Sequence, residues 1–521
     1  MERVITGNSA KLIDKYTIEQ IGIPSMVLME RAALGVFDEI KNNYYNYLIV
    51  CGNGNNGADG IALSRMLFLN GENVTVLLVS KGSGSEEYNR QLDIASKIGV
   101  EIIDYANEEN LDLEYLEEAF SSYDCIVDAI FGIGLNRNVS GSYYDIIEKI
   151  NESDNDICSI DIASGICSDN GKVMGIAVKA DITVTFGEYK IGHLAYPGRE
   201  YAGELIKKDI GFVYDEDLYN QDEANDTNDC FVITKSDLVL IPKRIERSNK
   251  GSYGKLLVIA GSKDMSGAAY LCGMAAYRMG AGLVHIVTHN NNVGILKDKL
   301  PEAVFTGYDN LSDENGNINE SEFDKLREVI QKYDNIVIGP GIGVNDVSNK
   351  LVEFVLESKK NTIIDADGIN VISADKNLFN LLHDRCILTP HMGEMSRLTN
   401  KSIGEISENT FETCKQFAEK VSINLILKDA NTIISLNDGS SFINTSGNEG
   451  MSTAGSGDVL SGILGGLMCI GCKFDMIAPL GTFIHGLSGD FAKEKMGSAS
   501  LMARDIVDGI SDVMLLKENT Y

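Results

Sequence analysis

The stretch "YLIVCGNGNNGADGIALSRMLFL", Tyr47–Leu69, joins an apolar run to a helix-like run through a loop of glycines, asparagines and one aspartate. Gly52, Gly54 and Gly57 fit G-x-G-x-x-G between a strand and a helix. In that setting glycines permit a tight turn and bring a phosphate close to a helix N-terminus. The same rhythm of apolar run and helix returns in "VTVLLV", "DCIVDAIFG", "DICSIDIASG" and "DITVTFG". It predicts βαβ units and a parallel sheet covered by helices. Upstream, "TIEQIGIPSMVLMERAALGVFDEI" reads as helices, with Pro24 in a first turn.

The loop is less typical than its glycines suggest. A dinucleotide fold that carries hydride also places an acid about 20 residues on, to grip the ribose. Here the second strand ends in Ser80 and Lys81. Lys81 would suit a 2′-phosphate, which leaves a coenzyme-carrying site as the lesser reading. Asn53, Asn55, Asn56 and Asp59 instead favour a cation or a sugar. Two later strands end in Asp128 and Asp161, and strand ends of open parallel sheets form the ligand crevice. Each carboxylate could bind metal, move protons or cap the next helix.

At 521 residues the chain exceeds the ~250–300 that one core sustains, so two domains are expected. The acidic, weakly periodic segment over 215–229 reads as the linker between residues 1–214 and 230–521. Beyond it the alternation restarts with "KLLVIAGS", "LVHIVT", "NIVIGPGIG", "NTIIDADGIN", "CILTPHMGE" and "NLILKDANTII". A net charge of −31 excludes a long nucleic-acid partner. No apolar run reaches the ~18 residues of a membrane span, and the charged start lacks a secretory h-region, so the cytoplasm is expected. Ten scattered cysteines suit reduced thiols, and Cys469 and Cys472 of "CIGC" read as two buried helical ones.

In "STAGSGDVLSGILGG", Ala454 to Asp458 stand at the mouth of a small-residue helix. Successive N–H groups there form an anion hole suited to a phosphoryl group, and Asp458 could take the proton of an attacking hydroxyl. The plainer alternative is an acid stabilising a helix dipole. "ILTPHMGE" places Thr389, His391 and Glu394 after one strand, and "LKDANT" places Lys428 after another.

Taken in order, "LMERAA", "GNGNNGADG", "DAIFGIGLNR", "DIASG" and "YPGREYAGE", then "KGSYGKLLVIAGS", "GAGLV", "GPGIG", "DADGIN", "LTPHMGE" and "GNEGMSTAGSGDVLSG", resemble the bifunctional nicotinamide nucleotide repair enzymes over nearly the whole chain. That resemblance implies a Rossmann-like hydrate epimerase followed by a ribokinase-like hydrate dehydratase. The substrate would be NADH or NADPH with water added across nicotinamide C5–C6. Carried over, it makes Asn55, Asn56, Gly57, Ala58 and Asp59, the run Gly132, Ile133, Gly134, Leu135, Asn136, Arg137 and Asn138, and Tyr143 the epimerase substrate residues. It puts K+ on Asn56, Asp128 and Ser164, and Asp161 on the substrate as acid/base.

In the second half the resemblance implies Gly282, Gly341 and His391 near the hydrate. Lys428, Asp429, Ala430, Asn431, Thr432, Gly455, Ser456 and Gly457 would lie near ADP or ATP with Mg2+, with Asp458 as base. Small-molecule substrates and a homo-oligomer are the expected partners. Departures are Ala163 for the usual proline of "DxPSG", Asp429 for a glycine, and Asn249 where a histidine is common. The competing reading is a small-molecule kinase of ribokinase type fused to a binding or scaffold domain.

Overall fold

The computed structural model describes residues 1–107, 120–215, 229–309, 311 and 319–519. The linker segment over 215–229 lies almost wholly outside them. The chain separates into an N-terminal unit, Arg3–Asp229 with Ser407–Asn409, and a C-terminal unit, Met1–Glu2, Cys230–Ile406 and Thr410–Tyr521.

The N-terminal unit is built on β1 (Asn46–Cys51), β2 (Asn73–Leu78), β3 (Glu101–Ile103), β4 (Cys125–Ala129), β5 (Asp156–Ile160), β6 (Ile182–Phe186) and β7 (Glu204–Lys208). All neighbours are parallel, in the order β3-β2-β1-β4-β5-β6-β7. Because side chains alternate along a strand, Tyr47, Ile49 and Cys51 enter one core with Leu28, Ala58 and Ile61 of the helices Ser25–Ile40 and Asn55–Asn70. Leu48 and Val50 enter the opposite core with Ile146, Ile147 and Ile150 of the helix Ser142–Glu152. Both faces are covered, which is why the strands read as unbroken apolar runs. Order reverses between β1 and β4, so the crevice opens where the Asn-rich loop leaves β1. Pro24 stands at the N-cap of its helix, one residue before the first turn.

Gly57 explains the glycine spacing. A Cβ there would stand 1.8 Å from Gly52 O. Gly57→Ala should therefore destabilise the protein by about 1–3 kcal/mol, seen as a lower urea midpoint of the N-terminal unit.

The C-terminal unit contains β8 (Cys230–Val232), β9 (Lys255–Ile259), β10 (Leu283–His289), β11 (Val304–Tyr308), β12 (Asn335–Ile338), β13 (Asn361–Ile364), β14 (Cys386–Leu388), β15 (Asn424–Leu427), β16 (Ile433–Ser435) and β17 (Ser441–Ile443). They lie in the order β11-β10-β9-β12-β13-β14-β15-β16-β17-β8. The run from β11 to β15 is parallel; β15, β16 and β17 form an antiparallel meander. The helices Ser266–Arg278 and Ser456–Cys469 share one core. A Cβ on Gly462 would lie 2.3 Å from Cys272 O and one on Gly466 would lie 2.4 Å from Met279 Cβ. The small residues thus set how closely this helix meets its neighbour. Cys469 is the last residue of its helix, whereas Cys472 falls beyond it and is half-buried. No described helix is long and apolar enough to cross a membrane.

Candidate active sites

In the N-terminal unit a cavity of ≈720 Å³ opens at the C-terminal strand ends. Asn55, Asn56 and Asp59 line it from the first loop, the run from Gly132 to Arg137 from the second, and Asp161 from the end of β5. Gly57 and Ala58 are buried in the helix, and Asn138 is not among the lining residues. Tyr143 reaches the site through Ser80: its hydroxyl donates to Ser80 Oγ at 2.7 Å, and Ser80 lines the cavity.

Asp161 has a left-handed backbone, φ 65°, which a non-glycine residue adopts only when its surroundings enforce it. Lys190, 2 % exposed, is the main clamp. Its ammonium donates to Asp161 Oδ1 at 2.7 Å, Thr185 Oγ1 at 2.8 Å and Phe186 O at 3.0 Å. Thr185 also donates to Asp161 Oδ1. His193 accepts from Lys190 N at Nδ1, so Nε2–H donates to Asp161 O at 2.8 Å. Burial lowers the His193 pKa to about 3, which matches that neutral tautomer. Burial opposes charge on Asp161 as well, but Lys190 outweighs it and holds the carboxyl below the usual range. Asp14 and Asp59 line the same cavity and go the other way. Burial pushes both up, and the negative charge of Asp161 adds to it. One carboxyl held below the usual range and two pushed above it thus face one space, an arrangement that separates base from acid.

Asp128 does not face the cavity. It is fully buried, and its oxygens accept from Ile130 N, Ser159 Oγ, Ser164 N and Ser164 Oγ at 2.6–3.2 Å. Ser164 Oγ also accepts from Phe131 N, and Asn56 Nδ2 donates to Phe131 O. Burial outweighs these bonds and raises the Asp128 pKa. Asp128→Ala would leave these donors without their acceptor and should cost about 3 kcal/mol, read as a fall in Tm.

In the C-terminal unit the groups gather just past β12 to β15. Asp365 follows β13 and is buried. It accepts from Lys428 Nζ at 2.8 Å, Thr389 Oγ1 at 2.7 Å and Ser461 Oγ at 2.8 Å. Burial resists its charge, yet Lys428 and these donors hold it below the usual range. Lys428 is correspondingly raised, with burial opposing and Asp365 prevailing. The helix Ser456–Cys469 starts at Gly455, φ 91°. A Cβ on Gly457 would lie 3.4 Å from Lys428 Nζ, so the helix mouth and the lysine adjoin. Burial and the charge of Asp365 push Asp458 up to about 7, against the pull of Lys428. His485, lowered to about 4 by burial, is a neutral donor whose Nε2 lies 3.0 Å from Ser456 O.

His391 caps the helix Met392–Thr399. Its Nδ1 accepts from Gly393 N and Glu394 N, and Glu394 Oε2 accepts from His391 N. Its side chain is 54 % exposed at the mouth of the site. Gly341, φ 64°, follows β12. Asp429 is exposed and its carboxylate accepts from Ala430 N, while Thr432 Oγ1 donates to Asp429 O, closing the turn of residues 429–432. Gly282 is set apart from the rest. It precedes β10, so it lies at the N-terminal edge of the parallel sheet, with Lys250 O where its Cβ would be. The resemblance groups it with Gly341 and His391, which follow the C-terminal ends of their strands. Asn249 is an N-cap whose Oδ1 accepts from Gly251 N.

Residues 256–512 match the family described as NAD(P)H-hydrate dehydratase, and residues 25–192 the family described as YjeF-related protein N-terminus. A bifunctional NAD(P)H-hydrate repair enzyme from Thermofilum pendens is 35 % identical over 523 residues, covering 99 % of this chain and 95 % of the relative. The chain belongs to the bifunctional NAD(P)H-hydrate repair enzyme family. Repair enzymes of the same name from Moorella thermoacetica and Escherichia coli are 33 % and 29 % identical over 98 % and 96 % of the chain, and 96 % and 92 % of their own. Among solved structures, an ADP/ATP-dependent NAD(P)H-hydrate dehydratase from Bacillus subtilis, co-crystallised with ATP and Mg2+, is 26 % identical with a TM-score of 0.47. It covers 56 % of this chain and 99 % of its own. Asp365 lies within the "DADGIN" motif, whereas Lys190, Thr185, His193 and His485 lie outside the family motifs.

Proposed function

We propose that the N-terminal unit interchanges the R and S forms of hydrated NADH or NADPH, and that the C-terminal unit dehydrates the S form with ADP or ATP. The observation that carries this reading is Asp458. It is a carboxyl with a pKa of about 7, one residue from a glycine that adjoins Lys428 at a helix N-terminus. A base titrating at working pH beside an anion hole suits transfer of a phosphoryl group to a hydroxyl.

In the dehydratase, Asp458 accepts the C6 hydroxyl proton as that oxygen attacks the terminal phosphorus and the bond from that phosphorus to the departing AMP or ADP breaks. The N–H groups of Gly455 and Gly457 face the charge that develops, and Lys428 neutralises the nucleotide phosphates. The ring nitrogen lone pair then expels phosphate from C6, and loss of a C5 proton restores the C5–C6 double bond. Among the described residues no cluster of three histidines, cysteines or acids forms a metal cage. Mg2+ fits here as an ion held mainly by nucleotide oxygens and water. His391 and Gly341 border the hydrate, and the turn of residues 428–432 borders the nucleotide.

In the epimerase, the ring nitrogen lone pair loosens the C6 hydroxyl, which leaves as water with a proton from Asp59, the carboxyl that burial raises furthest. Asp161 deprotonates the water that returns to the flattened carbon from the other face. K+ fits beside Asn56, Ser164 and Asp128. The set is all oxygen, and no basic side chain among the described residues pairs with buried Asp128. Bound there, the ion would supply positive charge near the substrate loops.

The product decides between this reading and a small-molecule kinase. Incubation of hydrated NADH with Mg2+ and ADP or ATP should release NADH and inorganic phosphate in equal amounts. A stable phosphate ester with no NADH would overturn it.

A further inference from the structure

Away from both sites, the C-terminal unit has a cavity of ≈460 Å³ between the helices Asp367–Ala374, Lys376–Phe379, Met392–Thr399 and Thr410–Val421. Four cations line it, Lys376, Arg397, Lys401 and Lys420, and no acid does. That is unexpected in a chain with 76 acidic and 45 basic residues. None of the four pairs with a carboxylate among the described residues. Arg397 and Lys420 stand in the last turn of a helix, where the dipole alone favours a cation, whereas Lys376 is the first residue of the four-residue helix Lys376–Phe379. Lys401 has no such reason. It comes just before the helix Ile403–Glu408, the end at which a cation is disfavoured, yet it faces the same cavity.

Two aromatic rings stand in the same wall. Phe379 and Phe417 line the cavity edge to face, ring centres 6.1 Å apart. Arg397 spends Nε on Asn370 Oδ1 at 3.0 Å, and among the described residues no bond engages its two terminal nitrogens, which suit a phosphate. The volume falls within the ~300–1,000 Å³ typical of small-molecule pockets. The wall helices begin at Asp367 and His391, so the cavity stands about one eight-residue helix, ~12 Å, from the reaction groups.

We infer that this cavity binds a mononucleotide-like ligand, its phosphate among Arg397 and the three lysines and its ring against Phe379 and Phe417. The site is separate from the proposed catalytic reading and does not depend on it.

Pyridoxal 5′-phosphate, an aromatic phosphate that forms a Schiff base with lysine, tests this on the full chain after borohydride reduction and peptide mapping. Lys376, Lys401 or Lys420 should be labelled ahead of an exposed lysine such as Lys179. AMP should protect them better than adenosine or inorganic phosphate at equal concentration. In Arg397→Gln, an exposed site that leaves folding intact by an unchanged Tm, AMP protection at these lysines should weaken about tenfold. Protection of Lys428 should stay as it was. Labelling no faster than Lys179, equal protection by phosphate alone, or no effect of Arg397→Gln would each overturn the inference and leave the cations serving helix ends only.

Discussion

Asp458→Asn will lower dehydration turnover by about 10²–10⁴-fold, the contribution of a positioned general base, with little change in affinity for the hydrate. The substitution keeps the side chain's size and its place in the first turn, and removes only its ability to accept a proton. Wild-type turnover should follow the same group. Asp458 titrates at about 7, so the rate should rise with pH through that value as the base form fills, and the limb should vanish in the variant. Stability should move the opposite way. A carboxyl raised from 3.8 to about 7 binds its proton more tightly in the folded chain. Its contribution is present at low pH and lost as pH rises through about 7. The unliganded wild type should therefore lose stability relative to Asp458→Asn across that window. Near-normal turnover in the variant would remove Asp458 from the mechanism.

Asp161→Asn should reduce interchange of the hydrate epimers by about 10²–10⁴-fold. Lys190→Met gives the more revealing result. Lys190 outweighs the burial that would otherwise raise Asp161. Without it, the Asp161 pKa should climb and the acid limb of the epimerisation profile should shift to higher pH. Part of the lost rate should return in alkaline buffer. Leaving a buried carboxylate without its partner should also cost of order 3 kcal/mol of stability, so a fall in Tm alone would not separate the roles. The displaced pH limb does. An unshifted profile would reduce Lys190 to a structural prop.

The residues legible in the sequence stand beside elements whose pattern announces them: Asp161, His391 and Lys428 come just past apolar strands, and Asn55, Asn56, Asp59 and Asp458 open helices that follow glycine-rich loops. Lys190 and His485 could not be found that way. Lys190 follows Asp161 by 29 residues on a two-residue strand, and His485 lies 29 residues beyond Ser456 within a helix, so only tertiary packing brings them together. Gly282 shows a different limit. Its motif is sound, but a motif does not say which end of its strand it occupies. Asp128 shows a third case, since it ends a strand as Asp161 does, yet its neighbours donate to both its oxygens and it does not line the cavity. Short strands such as Glu101–Ile103 and Ser441–Ile443 carry too few residues for periodicity to register.

The most direct test supplies the full chain with a mixture of both epimers of hydrated NADH, Mg2+ and ADP or ATP, and follows the return of nicotinamide absorbance. Two working sites predict complete recovery in the wild type and a halt near half in Asp161→Asn. No recovery with either nucleotide would contradict the account.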